Sequence, residues 1–229
     1  MLKLAFLVLA YLYGSLPITE EMAKRKGVDL RKSGTGKVGS GNLWQTAGAT
    51  YGIIGGLTDL GKGAVPPLVA RALGFSNAVA SAAAAAGVAG QMWPIFRRFD
   101  GGRGNSSTLG LALALSPRSF LLSTIPMLAG AAVWSFPIMA QRHLPWKQRF
   151  KFRSKHSDEI PIGMLAGWLG LPLFAWIMRE PRPVVRACAV VFLLLVLRRA
   201  TDKLDRDLAS GASLKHTLLY RVLYDRSHR

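Results

Sequence analysis

Long apolar stretches alternate with short basic ones along this chain. Apolar runs occupy residues 4–18, 52–73, 76–96, 105–116, 119–138, 160–178 and 184–198. Several approach the roughly 20 residues that a helix needs to cross a bilayer core. The nearly uncharged stretch 107–138 is too long for one crossing. Ser116-Pro117-Arg118 supplies a turn in its middle, so two helices are expected there, the first extended by the loop before it. The first run reads as a membrane helix rather than a cleaved signal, because its charged leader is only Lys3 and no small-x-small site follows cleanly. Pro17 is expected to kink that helix near its end. Asp59 and Lys62, three apart in the second run, fall on one helix face and are expected to pair. The third run is rich in alanine, which allows close helix contact in lipid. The expectation is an all-α integral membrane protein with seven transmembrane helices.

Composition strengthens this picture. Half of the 229 residues are hydrophobic, and Lys plus Arg outnumber Asp plus Glu by 30 to 12. A soluble nucleic-acid binder of this charge would not carry several long uncharged runs, so no nucleic-acid partner is expected. The positive charge suits loops that face anionic headgroups. Segments 19–50, 97–106, 141–159 and 198–229 hold six, three, six and eight basic residues. The positive-inside rule puts all four in the cytoplasm, with the N-terminus outside and the C-terminus cytoplasmic. Cys188 is the one cysteine, so no disulfide forms within the chain. No Cys/His cluster has metal-ligand spacing, and neither metal nor cofactor is expected. The chain divides into a membrane unit, 1–211, and a basic tail, 212–229. In the tail, Leu214, Leu218 and Val222 recur at i,i+4, a stripe suited to lie on the membrane surface.

Two cytoplasmic loops carry candidate chemistry. Gly101-Gly102-Arg103-Gly104 sets an arginine fork among glycines whose backbone can approach a ligand. A helix is expected to start just after Gly104, adding free N–H groups. A solvated turn is the bland alternative. The loop from Thr19 to Thr50 is also basic and rich in glycine. Both loops converge on one membrane face, where a site meets cytosolic anions and lipid together. The charges inside the second run make a poor relay, which argues against a channel or transporter.

The stretch Asp29-Leu30-Arg31-Lys32-Ser33-Gly34-Thr35-Gly36-Lys37-Val38-Gly39-Ser40-Gly41-Asn42, the Asp59…Lys62-Gly63 pattern, and Gly90-Gln91-Met92-Trp93-Pro94-Ile95-Phe96 leading into Phe99-Asp100-Gly101-Gly102-Arg103-Gly104 together resemble the PlsY family. These are bacterial integral-membrane glycerol-3-phosphate acyltransferases that use acyl phosphate as donor. The resemblance implies seven helices, a cytoplasmic active site and a bacterial plasma-membrane location. It also implies acyl transfer to the 1-hydroxyl of glycerol 3-phosphate, giving lysophosphatidic acid for phospholipid synthesis, with membrane lipid around the site.

Carried over by position, the resemblance implies catalytic roles for Thr35, Gln91 and Asp202. It implies substrate binding by Arg31, Lys37, Asn42, Gln45, Gly101, Gly102, Arg103, Gly104 and Arg199. This chain departs from the family's usual residues: Thr35 stands for serine, Lys37 for asparagine, Gly41 for threonine and Gln45 for arginine. Gln91 stands for histidine, Arg103 for lysine, and Arg199 and Asp202 for a His and an Asn. Ser154 and Ser157 lie near where the family places a substrate-binding serine. The substitutions leave a second reading open, a non-catalytic or acceptor-altered protein on the same scaffold that binds lipid phosphates.

Overall fold

The computed structural model describes residues 1–139, 159–202, 204–209, 211 and 213–226. The regular structure among them is helical. In order the helices are α1 (Leu2–Gly14), α2 (Ile18–Arg25), α3 (Ser40–Ala47), α4 (Ala49–Ala72), α5 (Asn77–Met92), α6 (Asn105–Leu115), α7 (Pro117–Met139), α8 (Glu159–Ile177), α9 (Arg182–Thr201), α10 (Leu204–Ala209) and α11 (Leu214–Tyr224), with a 3-10 turn at Ile95–Arg97. Ser154, Ser157 and the basic segment around them lie outside the described residues.

Among the described residues, four stretches are long and apolar enough to cross a membrane: Leu2–Arg25, Asn77–Arg97, Pro117–Phe136 and Ile160–Ile177. Helices α4 and α9 are also long, with 24 and 20 residues, but carry charge. Exposed residues on the helix flanks are strongly apolar, among them Leu57 and Leu68 on α4, Leu121 and Ile125 on α7, Trp176 on α8 and Leu193 on α9. A surface of this kind suits lipid rather than water.

Helix α5 is central and packs against α1, α4, α6 and α9. Its alanines explain why: Ala80, Ala83 and Ala84 are fully buried, so neighbouring backbones come close. The same device recurs at Gly14 against Gly87, Gly63 against Ser107 and Gly110 against Leu60, where a β-carbon would strike the partner backbone. The main core joins Val88 and Met92 with Leu111, Trp168, Leu171, Val191 and Leu195. A small satellite of Ala23, Leu30 and Leu43 sits under the first loop.

The Asp59–Lys62 pair forms as the spacing requires, at 3.1 Å and buried. Thr19 donates to the same carboxylate oxygen at 3.1 Å, and Ser107 donates to the Asp59 carbonyl at 2.8 Å. The turn at Ser116 also falls as expected, between α6 and α7. At Pro17 the outcome is sharper than a kink. Helix α1 stops at Gly14, and Pro17, which lacks an N–H, caps the start of α2.

The tail helix α11 leaves its leucine stripe open and docks by another face. Its buried face is polar, Thr217 and Arg221, while Leu214 and Leu219 stay exposed. It packs on α8, α9 and α10 instead of presenting only its leucine stripe. The cause is Arg221, 2% exposed, which bonds the Asp207 carboxylate at 2.6 and 2.8 Å and the Asp202 carbonyl. A buried guanidinium needs such partners, and they lie on the protein.

Candidate active site

Two adjoining recesses open between the glycine-rich loops, and both are bounded by Val38, Gly101 and Gly102. The first adds Gly39, Thr19, Asp59, Lys62 and Gln91. The second is lined by Arg31, Gly36, Lys37, Arg103, Asp100 and Asp202.

The first loop is shaped by Asn42 at the start of α3. Its Nδ2 donates to the carbonyls of Leu30, Ser33 and Lys37 at 2.8, 3.0 and 3.0 Å, and its Oδ1 accepts the Thr35 N–H at 2.9 Å. Gly34 and Gly36 have φ of 60° and 69°. At Gly34 a side chain would also collide with Asn42, so the turn needs glycine twice over. With its amide spent on the loop, Asn42 acts here through the backbone it holds.

The second loop is shaped from outside. The Gly102 N–H donates to the Gln91 carbonyl at 3.0 Å. Arg198, buried on α9, donates to the carbonyls of Gly101 at 2.7 Å and Gly102 at 3.2 Å. It also pairs with Asp100 at 3.3 Å and Asp202 at 3.4 Å, and lies 6.0 Å from the Trp93 ring centre. Arg31 reaches across from the first loop to the Asp100 carboxylate at 3.1 Å and its carbonyl at 2.9 Å. Its far side pairs with Glu20, which also holds Arg97 at 3.0 Å. Just ahead of the glycines, Arg98 and Phe99 take left-handed φ of 51° and 62°, a conformation bulky side chains disfavour.

Arg103 lies in the second recess. Its Nη2 meets Asp202 at 2.9 Å, its Nε meets Asp225 at 3.0 Å, and its Nη1 donates to the Arg198 carbonyl at 3.1 Å. Lys37 donates to the Asp225 carboxylate at 2.7 Å and to its carbonyl at 2.6 Å. Burial is the largest influence on Lys37 and pushes its ammonium below the ordinary lysine value, against the pull of Asp225. Burial also works to raise the Asp225 carboxyl, but Arg103, Lys37 and Arg199 together hold it below the usual carboxylate range. Asp100 is held low in the same way, burial being outweighed by Arg31 and Arg198.

The structure brings Arg31, Lys37, Gly101, Gly102, Arg103 and Asp202 to the second recess and Gln91 to the first. Gln91 is 8% exposed, and its Oε1 has no hydrogen-bond partner among the described residues. Thr35 lines neither recess, and its Oγ1 faces the Lys37 backbone N–H at 3.5 Å. The other expected residues are elsewhere. Gly104 caps α6 with φ 80° and packs on Met92, and α6 lines neither recess, so its N-terminal amides are not added there. Gln45 is exposed on α3 and lines neither recess. Arg199 is 2% exposed and donates to the Pro161 and Val222 carbonyls, both at 3.2 Å. Arg198, its neighbour, does the work at the loop. Nothing in the sequence separates two adjacent arginines by direction. Asp225 was missed because it lies in the tail.

The sequence profile of the glycerol-3-phosphate acyltransferase family matches residues 4–209. The chain belongs to this family. The glycerol-3-phosphate acyltransferase of Geobacter sulfurreducens is 31% identical over 204 residues, 89% of this chain and 93% of the relative. Glycerol-3-phosphate acyltransferase 5 of Dehalococcoides mccartyi is 30% identical over 232 residues, 100% of this chain and 91% of the relative. Among solved structures, the glycerol 3-phosphate form of PlsY, an integral membrane glycerol 3-phosphate acyltransferase, superposes with a TM-score of 0.70. It is 29% identical and covers 92% of this chain and 94% of that one. The lysophosphatidic acid form gives 0.66 at 27% identity. The apolar helices and this kinship make the acyltransferase-family chain a membrane protein.

Proposed function

We propose that this chain moves an acyl group from acyl phosphate to the 1-hydroxyl of glycerol 3-phosphate. The observation that carries the reading is the convergence of Arg31, Lys37 and Arg103 on one recess, beside a second recess lined by Gly101 and Gly102. Two phosphates must lie close together in this reaction, and cations on glycine-rich backbone suit them.

The hydroxyl oxygen attacks the acyl carbonyl and forms the ester bond. The bond from acyl carbon to phosphate oxygen breaks, and phosphate leaves carrying the hydroxyl proton. The products are 1-acyl-glycerol 3-phosphate and inorganic phosphate. Because the donor is already activated, holding the phosphates and orienting the hydroxyl supply most of what is needed. In this reading Arg31, Lys37 and Arg103 bind phosphate, and Gly101 and Gly102 let it approach. The Gln91 amide steadies the carbonyl oxygen as charge develops, Asp202 accepts a hydrogen bond from an acceptor hydroxyl, and Thr35 holds the loop at Lys37. Asn42 supports substrate binding through the loop it holds and Arg199 through the backbones it joins, whereas Gln45 and Gly104, outside both recesses, contribute little.

The proposed setting is the bacterial plasma membrane, crossed seven times with the N-terminus outside and the recesses cytoplasmic. Residues 1–211 form the acyltransferase unit and 212–229 its tail. The seven apolar runs and the basic loops support this arrangement. Lipid then presents the acyl chain laterally.

A specific observation favours a second reading. Asp202 and Asp225 already satisfy two edges of Arg103, as expected of a scaffold that binds lipid phosphate without turnover. One experiment separates the two. Purified protein in detergent is given acyl phosphate with and without glycerol 3-phosphate, and phosphate release is followed. Release that depends on the acceptor, and falls roughly 100-fold in Arg103→Ala, is expected. No turnover with any polyol phosphate sinks the proposal.

A further inference from the structure

The family profile ends at residue 209, yet two cations of the second recess are paired from beyond that point. Asp225 stands just past α11, 8% exposed, with a left-handed φ of 52° that turns the chain there. Its carboxylate accepts a hydrogen bond from Lys37 at 2.7 Å and forms an ion pair with Arg103 at 3.0 Å, and its carbonyl takes a second bond from Lys37 at 2.6 Å. Those two cations line the recess, whereas Asp225 touches both yet is not among the residues that bound it. The helix carrying it is anchored independently, by buried Arg221 on Asp207. Lys37 and Arg103 come from different loops, and Asp225 is the group that both of them share.

We propose that Asp225 is a positioning residue of the anion site, holding Lys37 and Arg103 in register for a phosphate group, so that the C-terminal helix is part of the site. This rests on the recess being a phosphate site, as in the function proposed above.

Charge argues in the same direction. Lys37 is surrounded by Asp225 from the tail, Arg103 from the second loop and Arg199 from α9. Burial, Arg103 and Arg199 all disfavour its ammonium, and Asp225 opposes them. Without Asp225 the lysine gives up its proton at lower pH, and the site loses a cation.

The test uses inorganic phosphate as the probe, with binding to the full-length protein in detergent measured from pH 6 to 9. For Asp225→Asn, affinity at neutral pH should fall about tenfold, as for loss of a charge-assisted contact. Its decline with rising pH should also begin earlier than in the wild type. Asp225→Glu should recover much of the loss. Unchanged affinity and pH profile in Asp225→Asn overturns the proposal. Tighter binding in Asp225→Asn also overturns it, because the carboxylate would then be a competitor occupying the phosphate position. If the variants do not fold, hydrogen exchange of residues 213–226 in the wild type decides. Phosphate should leave their protection unchanged or increase it, and phosphate-induced exposure overturns the proposal. Phosphate binding is read without acyl transfer. Absent turnover with intact phosphate binding therefore defeats the proposed function and leaves this inference standing.

Discussion

The two glycine-rich loops at the recess are held in opposite ways. The 29–41 loop is clasped by a neighbour in sequence: Asn42 takes three of its carbonyls and one N–H, all within 12 residues. The 98–104 loop is clasped from a distance. Arg198 takes the carbonyls of Gly101 and Gly102, and Arg31 takes Asp100, across 97, 96 and 69 residues of chain. A local clasp forms with the loop, whereas a distant one exists only after α9 has packed. The difference teaches that similar glycine patterns do not imply similar dependence on the rest of the fold. The second loop is the one through which tertiary damage reaches the site.

The strongest challenge to that contrast is Arg198→Ala. It removes both carbonyl clasps and leaves Asp100 and Asp202 each short of a partner. The Asp100 partner is half exposed and screened, so most of the cost comes from the lost carbonyl bonds to a charged donor, about 1.5–3 kcal/mol each. Acyl transfer should fall on the order of 10²–10³-fold, and the melting temperature in detergent should drop. Lysine at 198 should rescue little, since one ammonium cannot span two carbonyls and two carboxylates.

A smaller effect is expected at Asn42→Ala, where the lost clasp is local. Stability should drop by about 2–3 kcal/mol, and turnover by roughly tenfold. Asn42→Asp, which keeps the acceptor for the Thr35 N–H but loses three donor bonds, should fall between. A loss at Asn42 larger than that at Arg198 would reverse the ranking of the two loops.

Acidity probes the distant clasp without mutation. The Asp100 carboxyl is held below its unfolded value of about 3.9 by Arg31 and Arg198. A carboxyl lowered in the fold contributes stability that is complete above the unfolded value and lost as pH falls through the folded one. Hydrogen exchange of residues 98–104 should therefore stay slow down to about pH 4 and rise below it. At the other end, Lys37 is depressed by burial. Phosphate affinity should weaken on the alkaline side before the ordinary lysine value of about 10.4 is reached.

The smallest effect is expected at Gln45→Ala. The side chain is exposed and outside both recesses, so turnover should change less than about twofold, within the range of ordinary surface substitutions.

Much of this was readable from residue order. Apolar runs marked the helices because a long uncharged segment has few alternatives to an intact helix in lipid. The Asp59–Lys62 pair was readable because its spacing lies within one helix turn. The loops were found because each gathers several glycines and cations into one short polar stretch between apolar runs. Directions across space were less legible. Arg198 and Arg199 are equal in any local reading, yet one faces the glycine loop and the other the backbones of α8 and α11.

Residue order alone therefore settled the long apolar helices and which loops carry the charge and the glycines, because these follow from local chemistry, but not α2 and α3, which lie within the stretch read as a loop. Packing settled which arginine clasps the second loop, why Gln45 and Gly104 stand aside, and how Asp225 comes to share its carboxylate between Lys37 and Arg103. Those contacts join residues up to 188 positions apart. A buried ion takes whichever partner the assembled helices bring within reach, and no spacing along the chain encodes that choice.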